Sequence, residues 1–306
     1  MSSEDGYLRD GARVRRQVWV TLAFVMLGTF AAQLALVAWL FVLGYGLEEI
    51  QRGMPADLEP WQLLASLVVI QALSYLLPGV IAARALFGPT WLRATRLSPP
   101  PAFAKAMIGA LIFAGCLPFV GYLAQLNASL DIGAWAVEIE GDVAAVLSGI
   151  IIDTSPAQFA LVLLAVAVLP ALGEELVFRG LLQPGFVAMT GSAHFGIWLT
   201  AAFFGLVHLQ FAGILPRVFL GAVLGFLVYR SGRLWVPIIA HALFNGSQAI
   251  AARLGALAVV TETGAAESPE VIWGVGSAAL AAAVLHFGLP YLTPAPPLLP
   301  PEAPSA

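Results

Sequence analysis

Two adjacent glutamates and an arginine interrupt the apolar stretch LPALGEELVFRGLL, residues 169–182. On a helix, Glu175 and Arg179 are four residues apart and share a face, so they can pair. Glu174 sits about 100° further round, free to contact a water, a metal or a histidine. Two later motifs carry the other polar groups in apolar surroundings, FGLVH at 204–208 and HALFN at 241–245. His241 and Asn245 lie one turn apart and can point into one cavity. A glutamate beside a histidine can deprotonate water, and a neutral imidazole and an amide can donate to an oxyanion formed at a peptide carbonyl. The same side chains allow a second chemistry: Glu174, His208 and His241 are three acceptable ligands for a catalytic zinc with an open fourth position. The residues alone leave both routes open.

The elements that must hold these groups are membrane helices. Of the 306 residues, 60% are hydrophobic and 10% charged, and the mean hydropathy is +0.89. A soluble domain carries about 25% charged residues, so lipid must be the main solvent. The formal net charge of −4 comes with no basic patch interleaved with aromatics, and nucleic acid is not an expected partner. Cys116 is the sole cysteine, which rules out an intramolecular disulfide and suits a small core residue. Arginine outnumbers the single lysine, Lys105, and with the heavy Ala, Gly, Pro and Leu usage this suggests a bacterial inner-membrane protein.

A spanning helix needs roughly 20 mostly apolar residues. Eight segments qualify, at about 18–44, 62–87, 103–125, 158–182, 194–211, 215–230, 234–252 and 271–292. Their apolar runs are continuous, not alternating, so the expected fold is an all-α polytopic membrane bundle of about eight transmembrane helices and not a barrel. The organisation reads as a cytoplasmic segment 1–17, a helical domain 18–292 with its chemical core at 158–252, and a disordered Pro-rich tail 293–306. The apolar run after residue 17 is too long for a signal-peptide core and reads as a retained first span.

Arg9, Arg13, Arg15, Arg16, Arg84, Arg93, Arg96, Lys105, Arg230 and Arg233 fall on one side of the eight-span arrangement, which makes that side, with both termini, cytoplasmic. Glu48, Glu49, Asp57, Glu59, Asp131, Glu138, Glu140, Asp142, Asp153, Glu262, Glu267 and Glu270 fall on the other.

Each polar group also has a plainer reading. Glu175–Arg179 can be a structural ion pair, Asn245 interhelical glue, and His194 and His286 packing residues. Pro170, one turn before Glu174, should free a backbone carbonyl. Gly173, Gly180, Gly205, Gly221 and Gly225 should let helices approach closely. Counting rise along the spans puts Glu174 toward the cytoplasmic end of the fourth and His208 toward the opposite end of the fifth, an offset too large for contact unless a helix is kinked.

The three motifs in order, EELVFR (174–179), FGLVH and HALFN, resemble the CPBP family of intramembrane proteases, also called the Abi or type II CAAX prenyl protease family. The resemblance covers about 158–252. It implies an eight-helix membrane endopeptidase in which Glu174 activates water with His208, Glu175 and Arg179 orient the site, and His241 and Asn245 stabilise the oxyanion. The family has been described both as metal-dependent and as glutamate-dependent, so the cofactor expectation is none or a divalent metal such as zinc, with metal-independent activation favoured. The implied partners are a membrane protein or peptide substrate and the lipid bilayer; no oligomeric state follows. The competing classes are a proton-coupled transporter, in which Glu174 and the histidines relay protons, and a non-catalytic scaffold or bacteriocin-immunity protein.

Overall fold

The computed structural model describes residues 3–51, 55, 58–101, 103–130, 150–152, 154–255 and 271–292. Asp57, Asp131, Glu138, Glu140, Asp142, Asp153, Glu262, Glu267, Glu270 and the tail 293–306 lie outside the described residues. All eight expected segments are helical: α1 (Ser3–Val42), α2 (Pro60–Ala94), α3 (Phe103–Ala128), α4 (Pro156–Thr190), α5 (Ala193–Val207), α6 (Ile214–Ser231), α7 (Trp235–Arg253) and α8 (Val271–Gly288). No strand occurs among the described residues. The chain is an integral membrane protein, and six of its described helices are long and apolar enough to cross a bilayer. The other two expected segments, α5 and α7, are helical but fall short of that length or apolarity. The two exceptions carry the chemistry. Helix α5 has only 15 residues, and α7 is diluted by His241, Asn245, Ser247 and Gln248.

Helix α4 is the most buried of the spanning helices, and α1 and α8 are the most peripheral. Its start is fixed locally. Ser155 caps the helix by accepting from the Gln158 amide, Gln158 returns the bond to the Ser155 amide, and Pro156 follows at the first helical position. Helix α5 starts the same way, with Ser192 accepting from the Phe195 amide. The turn between them is Gly191 at φ 66, a left-handed conformation that glycine adopts without cost.

Among the described residues three π-helical turns interrupt the helices, Ala72–Leu76 in α2 and Leu164–Val168 and Leu176–Leu182 in α4. Each ends two residues before a proline: Pro78, Pro170 and Pro184. A proline cannot donate to the carbonyl four residues back and its ring collides with it, and widening the turn relieves that collision. Around α4 the packing divides. Val18, Val177, Phe178, Leu182 and Phe204 form a core shared by α1, α4 and α5, and Ala171, Leu176, Val228, Leu234 and Ile238 form one shared by α4, α6 and α7. Cys116 is a buried member of the core between α3, α6, α7 and α8.

Candidate functional site

Arg179 and Glu175 are both fully buried, and Nη1 donates to Glu175 Oε1 at 2.7 Å. Arg179 Nη2 donates to the Gly221 carbonyl of α6 at 2.9 Å. The guanidinium also lies 4.5 Å from the ring centroid of Phe204 in α5, a contact favourable to a desolvated cation. One turn on, Gln183 Nε2 donates to the Gly225 carbonyl at 3.1 Å. Glu175, Arg179 and Gln183 thus form a stripe at four-residue spacing that fastens α4 to α6.

Glu175 Oε1 accepts a second bond, from His241 Nδ1 at 2.9 Å. A carboxylate oxygen only accepts, so the proton is on Nδ1 and a neutral His241 offers Nε2 as a lone pair. Asn245, one turn along α7, donates Nδ2 to the Val166 carbonyl at 3.1 Å. That is the carbonyl four residues before Pro170, so an amide from α7 supplies the hydrogen bond that the proline withholds from α4. The second Nδ2 hydrogen makes no contact within hydrogen-bonding distance among the described residues.

Glu174 is buried but has no hydrogen bond among the described residues. The imidazole of His208 lies beside it, with Nε2 3.9 Å from Glu174 Oε2. His208 Nδ1 lies 2.7 Å from the Phe204 carbonyl. A carbonyl cannot donate, so Nδ1 carries the proton and a neutral His208 turns the Nε2 lone pair toward Glu174. The His208 side chain is 24% exposed and that of Glu174 7%, so the pair is reached from the histidine side.

The offset expected between Glu174 and His208 does not occur. Helix α4 runs for 35 residues, which puts Glu174 at its middle and not at an end. Helix α5 stops at Val207 after 15 residues, about 22 Å of rise against a hydrocarbon core about 30 Å thick. Its C-terminus therefore ends at depth and delivers His208 to the level of Glu174. Gly173 brings α4 against the π turn of α2: a Cβ there would come within 2.8 Å of the Leu76 nitrogen and 3.0 Å of Tyr75 Cβ. Gly180, Gly205, Gly221 and Gly225 also face close neighbours on adjoining elements.

Of the expected site residues, Glu175, Arg179 and His241 share one bonded cluster, Glu174 and His208 face each other, and Asn245 adjoins His241 on α7. His194 lies against Phe226 and His286 against Phe287, apart from the site. Among the described residues no group of three or more His, Cys, Asp or Glu side chains is placed to hold a metal ion. His208 and His241 each engage Nδ1 and leave Nε2 as a lone pair, an arrangement that suits a general base and a metal ligand alike, and no step is derived through a metal.

The sequence reading missed Asn127. It is a fully buried residue of α3 that donates Nδ2 to the Phe211 carbonyl at 2.8 Å and accepts from the Leu215 amide at 2.9 Å. It clamps both ends of the loop that leaves His208. A lone asparagine in an apolar span was the signal that could have found it. Asn127→Ala is expected to raise amide hydrogen exchange at Leu215 and across 209–214 by roughly ten-fold or more, since two hydrogen bonds of about 1 kcal/mol are lost; mass-spectrometric exchange in detergent checks this, with 235–253 unchanged.

Residues 156–247, which include Glu174, Glu175, Arg179, His208, His241 and Asn245, match the family model described as type II CAAX prenyl endopeptidase Rce1-like. This segment is similar to Rce1-like domains. A 72-residue stretch of the chain, 24% of its length, is 32% identical to the Bacillus subtilis (strain 168) protein named "Putative membrane peptidase YdiL" and spans 29% of that relative's length. No solved structure matches the chain significantly. The matched segment begins at the capping box of α4 and ends two residues after Asn245, within α7.

Proposed function

We propose that the chain is an intramembrane endopeptidase that hydrolyses peptide bonds of membrane-associated or lipidated proteins, with a CAAX-type tail as the substrate class suggested by the Rce1-like match. The observation that carries this reading is the 3.9 Å gap between Glu174 Oε2 and His208 Nε2. It is too long for a direct hydrogen bond, and in the carboxylate and neutral imidazole forms both atoms are acceptors. A water beside them can donate one hydrogen to each and turn its lone pairs toward a carbonyl carbon.

As the water oxygen bonds to the carbonyl carbon, its proton passes to Glu174, assisted by His208. The carbonyl becomes an oxyanion. Collapse of that intermediate breaks the C–N bond, and the held proton goes to the leaving amine. Asn245 has a spare Nδ2 hydrogen for the oxyanion. His241 can donate only as the imidazolium, because its Nδ1 hydrogen is engaged by Glu175; that carboxylate then balances the charge. Glu175 and Arg179 hold His241 and the helix, without touching substrate. The arginine-rich connections favour cytoplasmic termini, in a bacterial inner membrane.

The test uses purified protein in liposomes and a quenched fluorescent peptide ending in a CAAX-type sequence, in three forms: unmodified, farnesylated, and fused to one apolar helix. Cleavage of at least one form, insensitive to a strong zinc chelator, is the expected result. Cleavage abolished by the chelator and restored by zinc would overturn the metal-free route. No cleavage together with proton-coupled uptake would favour a transporter, and neither activity a scaffold.

A further inference from the structure

A groove of about 680 Å³ runs along the outer face of the domain. One wall is α1, contributing Trp19, Leu22, Met26, Thr29, Phe30 and Gln33. The facing wall is α5, with Phe203 and Val207, and the floor is Tyr75 of α2 with Val177, Phe178 and Leu182 of α4. Helix α1 is pinned on the other side. A Cβ on Gly28 would fall 2.1 Å from Pro78 Cγ, and Gln17 Nε2 donates to the Leu181 carbonyl at 2.7 Å. The groove is thus a fixed lateral gap between α1 and α5, open to the bilayer.

Its inner end adjoins the site. Val207 precedes His208 in the chain, and Tyr75 packs on Gly173, the residue before Glu174. Its length on α1, from Trp19 to Gln33, is about 21 Å, which fits a chain segment rather than a compact ligand. Two of its lining groups are polar. Thr29 and Gln33 sit within the apolar run of α1, exposed to the groove, and neither has a hydrogen-bond partner among the described residues. Lipid tails leave the amide oxygen and N–H groups of Gln33 unsatisfied, at a cost of roughly 1–3 kcal/mol, whereas the Thr29 hydroxyl can also turn to a carbonyl of its own helix. A polypeptide backbone or a polar side chain satisfies them.

We infer that this groove receives a membrane-embedded polypeptide segment of the substrate and guides it to Glu174 and His208. The inference rests on the peptidase reading for its destination, but the groove's occupant can be tested apart from it. The first arm measures Gln33→Leu combined with Thr29→Val against the helix-fused reporter and the short unmodified peptide. KM for the helix-fused reporter should rise about five- to ten-fold with kcat unchanged, and kinetics on the short peptide should not move. An equal change on both substrates, or no change on either, would overturn it. The second arm needs no cleavage: a benzophenone amino acid replaces Met26 in a Glu174→Gln background, and the helix-fused reporter is added in liposomes before irradiation. A covalent adduct with the reporter that Gln33→Leu and Thr29→Val diminish supports the inference. Adducts with lipid alone overturn it. A wild-type protein that cleaves nothing yet gives the reporter adduct sinks the peptidase reading and leaves the groove assignment standing.

Discussion

Glu174→Gln should abolish peptide cleavage, lowering kcat by at least about 10³-fold, while leaving the fold intact. General base catalysis contributes about 10²–10⁴-fold, and here the same group also positions the water, so the loss should lie in the upper part of that range. Glutamine keeps the shape and the polar tip but cannot accept a proton. The fold should be indifferent because Glu174 makes no hydrogen bond among the described residues and stands outside the Glu175–Arg179 pair. The measurement is therefore double: initial rates on the reporter, and thermal unfolding of the same sample in detergent. A rate loss with an unchanged melting temperature supports water activation by this carboxylate. Residual activity within ten-fold of wild type would remove Glu174 from the chemistry, and an equal collapse of stability and rate would make it structural. His208→Gln should lose somewhat less, since the imidazole assists a transfer whose acceptor remains.

The contrast between the two glutamates shows how far the sequence could be read. Four-residue spacing predicted that Glu175, not Glu174, would take Arg179, and the pair forms at 2.7 Å. The eight helical segments and the broken carbonyl before Pro170 were also legible, because apolar run length and the missing proline N–H are local properties. What was not legible depended on where helices end. The offset between Glu174 and His208 came from treating α5 as a full span, and only its termination at Val207 cancels it. The bonds of Arg179 to Gly221, Asn245 to Val166 and Asn127 to Phe211 cross between helices to backbone oxygens. A carbonyl carries no residue-type signature, so no motif announces it as an acceptor. The tautomers of His208 and His241 were equally hidden, since each is set by the acceptor its Nδ1 meets.

Arg179→Met is expected to be the most destabilising single change in the protein, costing about 3–5 kcal/mol. Both members of the pair are at 0% side-chain exposure, so the substitution leaves the Glu175 carboxylate without its main counter-charge, and Arg179 also gives up its bond to Gly221 and its place over Phe204. On the scale of soluble domains such a loss lowers the melting temperature by on the order of 10 °C. Lysine should not rescue it, because a single ammonium lacks the planar fork that reaches Glu175 and Gly221 together. The double variant Glu175→Leu with Arg179→Met separates stability from chemistry. Removing a buried pair as a unit is often neutral, since both desolvation penalties go with it, so the double variant should recover most of the lost melting temperature. It should not recover cleavage, because His241 Nδ1 then has no carboxylate to fix its tautomer and orientation. Thermal unfolding and reporter kinetics on wild type, both single variants and the double form the cycle. A double variant that is both stable and active would show that the ion pair does nothing beyond hold α4 against α6, and the positioning role of Glu175 on His241 would fall with it.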